Sequence, residues 1–266
     1  MREHRALNTI LEPGGIMPMY QPICSVVDGD VHVVGFECLS RGPKGTNFES
    51  AKVLFDYVRL KREETLVDRA CVTAALMNAP NRESVRLSVN VHASTLGRDH
   101  DFVDFLCGLT ARAGIPATRL TVEIVEHAPP WDGIGFAAAL DRLRAKGIRI
   151  ALDDVGLGQS NFRMILDVCA DYLKLDKYFV ESCDTDRNRQ AVIEALVRLA
   201  SHFNAEVVAE GVERIEERDT LWRNGVRLMQ GFLYSKPLTA AEASRLVAGY
   251  YTGHHEASSA PTLRVV

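Results

Sequence analysis

The sequence predicts a modified (β/α)8 barrel of the TIM type, in which the first strand runs antiparallel to the others. Three observations support this fold: eight short β-rich segments, a turn signal between the first two, and helical patterns between most of the later ones. Alternating strands and helices favour a parallel sheet, and eight strands in one domain favour a closed barrel. A length of 266 residues lies in the range of single-domain barrels.

The predicted strands are short runs rich in β-branched and aromatic residues. They cover residues 17–27, 31–40, 86–92, 119–126, 148–154, 172–176, 205–212 and 228–234. Asp28 and Gly29 stand between the first two runs and indicate a hairpin, which makes those strands antiparallel. Helical patterns cover 49–60, 63–79, 101–114, 136–147 and 187–203, and two of them end at a glycine, Gly114 and Gly147.

Composition favours one globular domain. We expect an N-terminal extension at 1–15, the domain at 16–252, and a flexible, polar C-terminal tail at 253–266. The net charge of −4 argues against a DNA or RNA partner. The six cysteines form no C-x-x-C pair and are expected to be reduced thiols. Since there is no apolar run of membrane-spanning length and no signal peptide, we expect a cytoplasmic protein without a membrane segment.

Polar side chains occur inside or just after seven consecutive predicted strands. They are Glu37, Asn90, Glu123 with Glu126, Asp153 with Asp154, Lys174, Glu210 with Glu213, and Gln230. Because the carboxyl ends of parallel strands converge on one mouth of a barrel, we expect several of them to meet. The sequence does not say which face of each strand points inward, since a shift of one residue exchanges the two faces.

Five carboxylates would meet at this mouth, and only Lys174 among these side chains is a cation; the carboxylates are Glu37, Glu123, Asp153, Asp154 and Glu210. Carboxylates packed so closely would not all stay ionised, but two divalent cations would neutralise them. Oxygen ligands select Mg²⁺ or Mn²⁺, and such a pair suits hydrolysis of a phosphate ester. Arg41 is a candidate to hold a second phosphate or a base edge. Any one carboxylate taken alone could instead be a salt-bridge partner or a helix cap, Glu126 and Glu213 above all.

Short segments along the chain match one family in order and spacing. They are YQPI, FECLSR, SVNV, VEIVE, ALDDVGLGQSN, YLKLDK, VVAEGVE and QGFLYSKPL. From about residue 19 to residue 247 the chain therefore resembles the EAL domains, bacterial phosphodiesterases of cyclic di-GMP. The resemblance implies the barrel described above, two ions of Mg²⁺ or Mn²⁺, hydrolysis of cyclic di-GMP to linear pGpG, and a possible homodimer.

The resemblance also implies roles for individual residues. The first metal would be held by Glu37, Asn90, Glu123 and Asp153, with Asp153 as the bridge and Asp154 and Gln230 at the second metal. Lys174 resembles the lysine that contacts the catalytic water, and Glu210 resembles a general base or metal-linked group. The implied nucleotide contacts are Gln21, Leu39, Arg41, Asp154 and Pro237, and Glu126 with Glu213 would anchor the loop after the fifth strand.

The chain departs from the family pattern at a few positions. Cys38 replaces the usual alanine, and Val155, Leu157 and Gln159 replace an aromatic residue, a small hydroxyl residue and a tyrosine. These changes affect the loop and leave every implied ligand position filled. Two alternatives stay open: a catalytically weak or inactive EAL module that binds cyclic di-GMP and signals through a protein partner, or a regulatory protein that binds neither metal nor nucleotide. The filled positions favour the enzyme.

Overall fold

The structure is a computed structural model that describes residues 2–27, 30–80, 83–125, 133–156, 162–249 and 263–265. The strands are β1 (Met17–Val27), β2 (Asp30–Arg41), β3 (Arg86–His92), β4 (Leu120–Val125), β5 (Arg149–Val155), β6 (Tyr172–Leu175), β7 (Glu206–Ala209), β8 (Leu228–Met229) and β9 (Leu263–Val265). The helices are α1 (Arg2–Leu11), α2 (Ala51–Lys61), α3 (Glu64–Met77), α4 (Ala93–Arg98), α5 (Phe102–Ala113), α6 (Gly133–Ala145), α7 (Phe162–Val168), α8 (Lys177–Val180), α9 (Arg187–His202), α10 (Ile215–Arg223) and α11 (Ala240–Val247).

The strands close into a barrel in the order β1-β8-β7-β6-β5-β4-β3-β2, because β2 also pairs with β1. β1 runs antiparallel to both of its neighbours, and the strands from β2 to β8 pair in parallel. The predicted fold class is therefore confirmed. Asp28 and Gly29, the predicted turn, lie outside the described residues.

Successive side chains point to opposite faces of each strand, so one set packs in the core beneath the helices and the other lines the barrel interior. In β4, Val122 and Ile124 are fully buried in the core shared with the helices, whereas Thr121 and Glu123 line the barrel interior. Every strand from β1 to β8 contributes to that interior lining, which encloses a space of about 40 Å³. The tertiary structure thus settles which face of each strand points inward.

The end of the barrel is less regular than the sequence predicts. β7 stops at Ala209 rather than at 212, and β8 stops at Met229 rather than at 234. Beyond these strands, the Val212 N–H donates to the Gln230 carbonyl, and the Leu233 N–H donates to the Val212 carbonyl. A Cβ on Gly231 would lie 2.1 Å from the Val212 carbonyl oxygen, so only glycine permits this approach of two backbones.

Both predicted terminal segments contain regular structure. Ile10 of α1 is fully buried beside Leu54 and Val67, so part of the extension packs on the domain. Within the predicted tail, β9 pairs in parallel with β2. β3 pairs with β2 only from Gly35 onward, and β9 pairs with the backbone of residues 31–33 that β3 does not reach.

The remaining composition-based predictions concern cysteines and membranes. All six cysteines are free thiols. Within the described ranges, no helix combines the length and the apolar character that crossing a bilayer would require.

Candidate active site

Lys174 is the centre of an acidic cluster at the mouth formed by the carboxyl ends of the parallel strands. Its side chain is 2% exposed. Its Nζ lies 2.6 Å from Glu123 Oε2, 2.7 Å from Glu210 Oε1, 3.0 Å from Asp153 Oδ1 and 3.5 Å from Glu37 Oε1. These carboxylates come from β4, from the end of β7, from β5 and from β2. The structure therefore brings together acidic side chains that are far apart in the sequence.

Amide side chains hold the Glu37 carboxylate from the other side. Asn90 Nδ2 donates to Glu37 Oε1 at 2.9 Å, and Gln230 Nε2 donates to Glu37 Oε2 at 2.6 Å. Gln230 Nε2 also donates to Gln21 Oε1 at 3.0 Å, which fixes the orientation of its amide. The buried Gln230 Oε1 consequently has no hydrogen-bond partner among the described residues. A buried carbonyl oxygen without a partner is costly, and a bound cation would satisfy it.

An irregularity in β5 brings its two adjacent aspartates to the same mouth. Neighbouring side chains of a regular strand point to opposite faces. The register between β5 and β6 shifts between Leu152 and Val155, and Asp154 lies in this shift with φ of 49°, in the left-handed region. As a result, Asp153, Asp154 and Glu210 each offer an oxygen within 4.8 Å of the others. The oxygens of this trio lie close enough to one another to share an ion.

Burial works against ionisation in most of the cluster. Burial raises the pKa of Glu123 to about 8. The charge of Lys174 lowers this pKa, and repulsion from Glu37 raises it further. Burial likewise raises the pKa of Glu210 well above its ordinary value. Burial and then repulsion from Asp153 raise the pKa of Asp154 to about 6. The cluster therefore contains more carboxylates than a single lysine can keep ionised.

The pKa shifts of Glu37 and Lys174 favour the charged forms of these two groups. Burial raises the pKa of Glu37, but Lys174 and the hydrogen bonds from Asn90 and Gln230 outweigh it, and the pKa lies below its ordinary value. Burial lowers the pKa of Lys174, but the surrounding carboxylates raise it well above normal. The surroundings therefore favour the charged forms of both Lys174 and Glu37.

The donor set fits hard divalent cations. It consists of carboxylate oxygens together with the amide groups of Asn90 and Gln230, and it contains excess negative charge and one buried oxygen without a partner. Mg²⁺ and Mn²⁺ prefer such oxygen ligands. Buried Cys38 is adjacent to Glu37, but burial raises the pKa of its thiol well above normal, so it stays protonated.

A cleft of about 400 Å³ opens beside the cluster. At one end it is lined by Glu37, Asn90 and Asp153, and it extends past Leu39 and Arg41 to α2. Gln21 is buried in the wall of the cluster, where its Nε2 donates to the Ser235 carbonyl at 3.2 Å. Pro237 is half-buried and does not line the cleft. Of the implied nucleotide contacts, Leu39 and Arg41 thus face the cleft directly.

The structure describes one of the two implied loop anchors, Glu213. The carboxylate of Glu213 forms an ion pair with Lys177 at the start of α8. The aliphatic part of Lys177 packs on Gly211, which has φ of 66° and where a Cβ would lie 2.6 Å from that side chain. Glu126, Leu157 and Gln159 lie outside the described residues. Glu213 therefore connects the segment after β7 to the segment after β6.

Sequence reasoning missed a buried polar group beside the cleft. Asp68 on α3 accepts hydrogen bonds from the His92 backbone N–H at 2.9 Å and from Thr95 Oγ1 at 2.6 Å, and its other oxygen lies 2.8 Å from His92 Nδ1. Burial lowers the pKa of His92, but Asp68 outweighs it and raises that pKa above normal. The available signal was an aspartate inside an apolar helical run and a histidine two residues after Asn90.

The chain is similar to known proteins along most of its length. The model of the EAL domain family matches residues 4–237. The chain is 29% identical over 239 residues to cyclic di-GMP phosphodiesterase NbdA of Pseudomonas aeruginosa, covering 87% of this chain and 30% of that protein. The chain thus spans less than a third of the length of this relative.

Three solved structures share the fold of this chain. A standalone EAL protein from Vibrio cholerae O395, in its c-di-GMP bound form, superposes with a TM-score of 0.75 at 25% identity, covering 85% of this chain and 93% of that one. The calcium/cy-diGMP complex of BlrP1 from Klebsiella pneumoniae superposes with a TM-score of 0.73 at 27% identity, covering 85% of this chain and 56% of that one. A manganese/cy-diGMP complex of BlrP1 superposes with a TM-score of 0.71 at 28% identity, covering 86% of this chain and 58% of that one.

Proposed function

This chain belongs to the EAL domain family, and from that premise we propose that it hydrolyses cyclic di-GMP to linear pGpG with two divalent cations, Mg²⁺ or Mn²⁺. The product would be formed by opening one phosphodiester bond, which lowers the level of the second messenger. A relative named as a cyclic di-GMP phosphodiesterase supports the proposal, as do the calcium and manganese complexes of BlrP1 with the nucleotide.

The cluster around Lys174 is the observation that carries the proposal. Four carboxylates from separate strands lie within 3.5 Å of one ammonium group. We assign the first cation to Glu37, Asn90, Glu123 and Asp153, and the second to Asp153, Asp154 and Gln230. When bound, such cations supply Lewis-acid activation of a water and stabilise charge on the phosphoryl group.

The protein's own groups have separate tasks in this proposal. Lys174 Nζ donates to the attacking water and holds it in line with the phosphorus. Glu210, whose Oε1 lies 2.7 Å from that ammonium, takes the proton that the water loses as its oxygen bonds to phosphorus, and the departing ribose oxygen gains a proton from solvent. Arg41 and Gln21 contact the nucleotide, and Pro237 lies beside a guanine. Glu213, together with Glu126, anchors the loop after β5.

The test measures conversion of cyclic di-GMP to pGpG by chromatography. We expect turnover in Mg²⁺ or Mn²⁺, none in EDTA, and recovery when either metal is restored. Asp153→Ala removes the proposed bridging ligand and is expected to abolish turnover. Asp141→Ala, an exposed aspartate on α6, is the matched control and should leave the rate unchanged. Near-normal hydrolysis by Asp153→Ala would refute the metal assignment.

The second candidate is a receptor that binds cyclic di-GMP and signals through a protein partner. The departures at Val155, Leu157 and Gln159 favour it, because they change the loop beside the aspartates. Binding of cyclic di-GMP without release of pGpG in either metal would select it. A catalytic domain over 16–252, a homodimer and a cytoplasmic location are further proposals that accompany the enzyme.

A further inference from the structure

The barrel interior beneath the acidic cluster, toward the amino ends of the strands, carries hydroxyl groups. We propose that two of them, on Ser88 and Thr121, bind ordered water that hydrogen-bonds to the Glu123 carboxylate. Ser88 and Thr121 are then positioning residues, because the water holds Glu123 in place to bind a cation. The water site follows from the barrel interior alone, whereas the positioning role rests on the proposed function, in which Glu123 is a metal ligand.

Ser88 and Thr121 lie one step below the cluster on neighbouring strands. The two residues are register partners between β3 and β4, and the next pair on the same faces is Asn90 with Glu123. Two residues span roughly 7 Å along a strand. Because a hydrogen bond between two oxygens spans about 2.8 Å, one or two waters match the spacing between Thr121 and Glu123.

The space beside these side chains accommodates water. It measures about 40 Å³, which exceeds what one water needs. Ala151, the register partner of Glu123 on β5, leaves this room because its side chain is short. An apolar cavity stays dry, but Ser88, Thr121 and Glu123 give this one the polar partners that a buried water requires. The other side of the space is lined by apolar side chains: Ile23, Val34, Val208 and Leu228.

The hydroxyls of Ser88 and Thr121 need a partner from outside the described chain. Only 5% of Ser88 and 2% of Thr121 is exposed, and neither hydroxyl forms a hydrogen bond with a residue that the structure describes. Lys174 does not supply that partner, because its Nζ has oxygens of three carboxylates within 3.0 Å to accept its N–H groups. A buried hydroxyl without a partner is costly, and a bound water satisfies it.

The hydrogen bonds of Glu37 and Glu123 differ, and this difference gives the water a task. The Glu37 carboxylate accepts from two amides, those of Asn90 and Gln230. Among the described residues, Glu123 accepts a hydrogen bond from Lys174 alone, at 2.6 Å to Oε2. Groups that hydrogen-bond to a metal ligand fix its orientation and thereby raise metal affinity. Water held by Ser88 and Thr121 gives Glu123 the second support that Glu37 receives from protein groups.

The first test is thermal unfolding in EDTA at pH 7, which needs neither metal nor substrate. Thr121→Val keeps the shape of the side chain and removes its hydroxyl. Because the water then loses a partner, we expect Tm to fall by roughly 2–4 °C. Thr118→Val, at an exposed position just before β4, is the control and should leave Tm unchanged. An unchanged or higher Tm for Thr121→Val would overturn the water site, since removing a hydroxyl without a partner does not destabilise a protein.

A double variant tests whether Ser88 and Thr121 share the same water. Ser88→Ala should also lower Tm, and Ser88→Ala with Thr121→Val should lower it by less than the sum of the single effects. Additive losses would overturn the shared water, because independent hydroxyls would each contribute separately.

The last test titrates Mn²⁺ into the protein without nucleotide and follows binding by electron paramagnetic resonance. We expect Thr121→Val to bind Mn²⁺ roughly 10-fold more weakly than the wild type. Thr121→Ser keeps the hydroxyl and loses a methyl group, so it should bind like the wild type, whereas a role in packing alone would give the reverse order. Equal affinities for the wild type and Thr121→Val would overturn the positioning role. Absence of Mn²⁺ binding by the wild type would instead refute the proposed function, and the melting temperatures in EDTA would still decide the water site.

Discussion

Replacing Glu123 by glutamine should stabilise the metal-free protein while it removes activity. Glu123 is 1% exposed, and its Oε2 accepts a hydrogen bond from Lys174 Nζ at 2.6 Å. A glutamine keeps an oxygen for that ammonium but carries no charge. The substitution therefore removes repulsion with Glu37 and Asp153 while it preserves the favourable contact.

The size of the effect follows from the pKa of Glu123, which burial raises from 4.5 to about 8. A raised pKa stabilises the fold fully below pH 4.5, and this stabilisation is lost as the pH rises through about 8. At 1.36 kcal/mol per pH unit, the loss reaches ~3 kcal/mol at pH 7. The new amide N–H groups offset about 1–2 kcal/mol of this where they lack partners. We therefore expect a net gain of about 1–2 kcal/mol and a Tm higher by roughly 2–6 °C.

The assay is thermal unfolding in EDTA between pH 5 and pH 8, repeated in Mg²⁺ or Mn²⁺. In EDTA Glu123→Gln should be slightly less stable than the wild type at pH 5, and its advantage should emerge and grow toward pH 8. With metal, the wild type gains stability by mass action, and the variant gains less because it lacks one proposed ligand. Glu194→Gln, an exposed glutamate on α9, is the matched control and should change stability by less than about 0.5 kcal/mol.

One result would refute this reasoning. If Glu123→Gln were less stable than the wild type in EDTA at pH 7 and 8, the buried carboxylate would not be under electrostatic strain. Hydrolysis of cyclic di-GMP at the wild-type rate by the same variant would separately refute its role as a metal ligand.

Two further predictions follow from the loops at the mouth. Gly231→Ala would place a Cβ 2.1 Å from the Val212 carbonyl oxygen and should lower the free energy of unfolding by ~1–3 kcal/mol. Gly108→Ala, with open space around it on α5, is the control and should raise the free energy of unfolding by about 0.4–1 kcal/mol. Equal melting temperatures for the two variants would contradict this prediction. Glu213→Gln removes the ion pair with Lys177, whose members are 44% and 49% exposed, so unfolding free energy should fall by less than ~1 kcal/mol. Its turnover of cyclic di-GMP should nevertheless fall through the loop, and an unchanged kcat would argue against anchoring.

The strands and the longer helices could be read from the sequence because their signals are local. β1 and β3 coincide with the predicted runs, and Gly114 and Gly147 end their helices with φ of 67° and 72°. The short helices around the mouth, and the positions at which β7 and β8 end, could not be predicted from local patterns. Their ends depend on contacts such as that between Gly231 and Val212, which joins segments that no local pattern connects.

The candidate site divides along the same line. The sequence by itself determined the candidate residues, since Glu37, Glu123, Asp153 and Lys174 each lie within or at the end of an apolar strand pattern. Only the tertiary structure decided that these side chains point inward and meet at one ammonium group, because alternation along a strand has two solutions and barrel closure selects one. Only the tertiary structure, likewise, placed α2 beside the same cleft, since that proximity comes from the packing of a helix against the barrel.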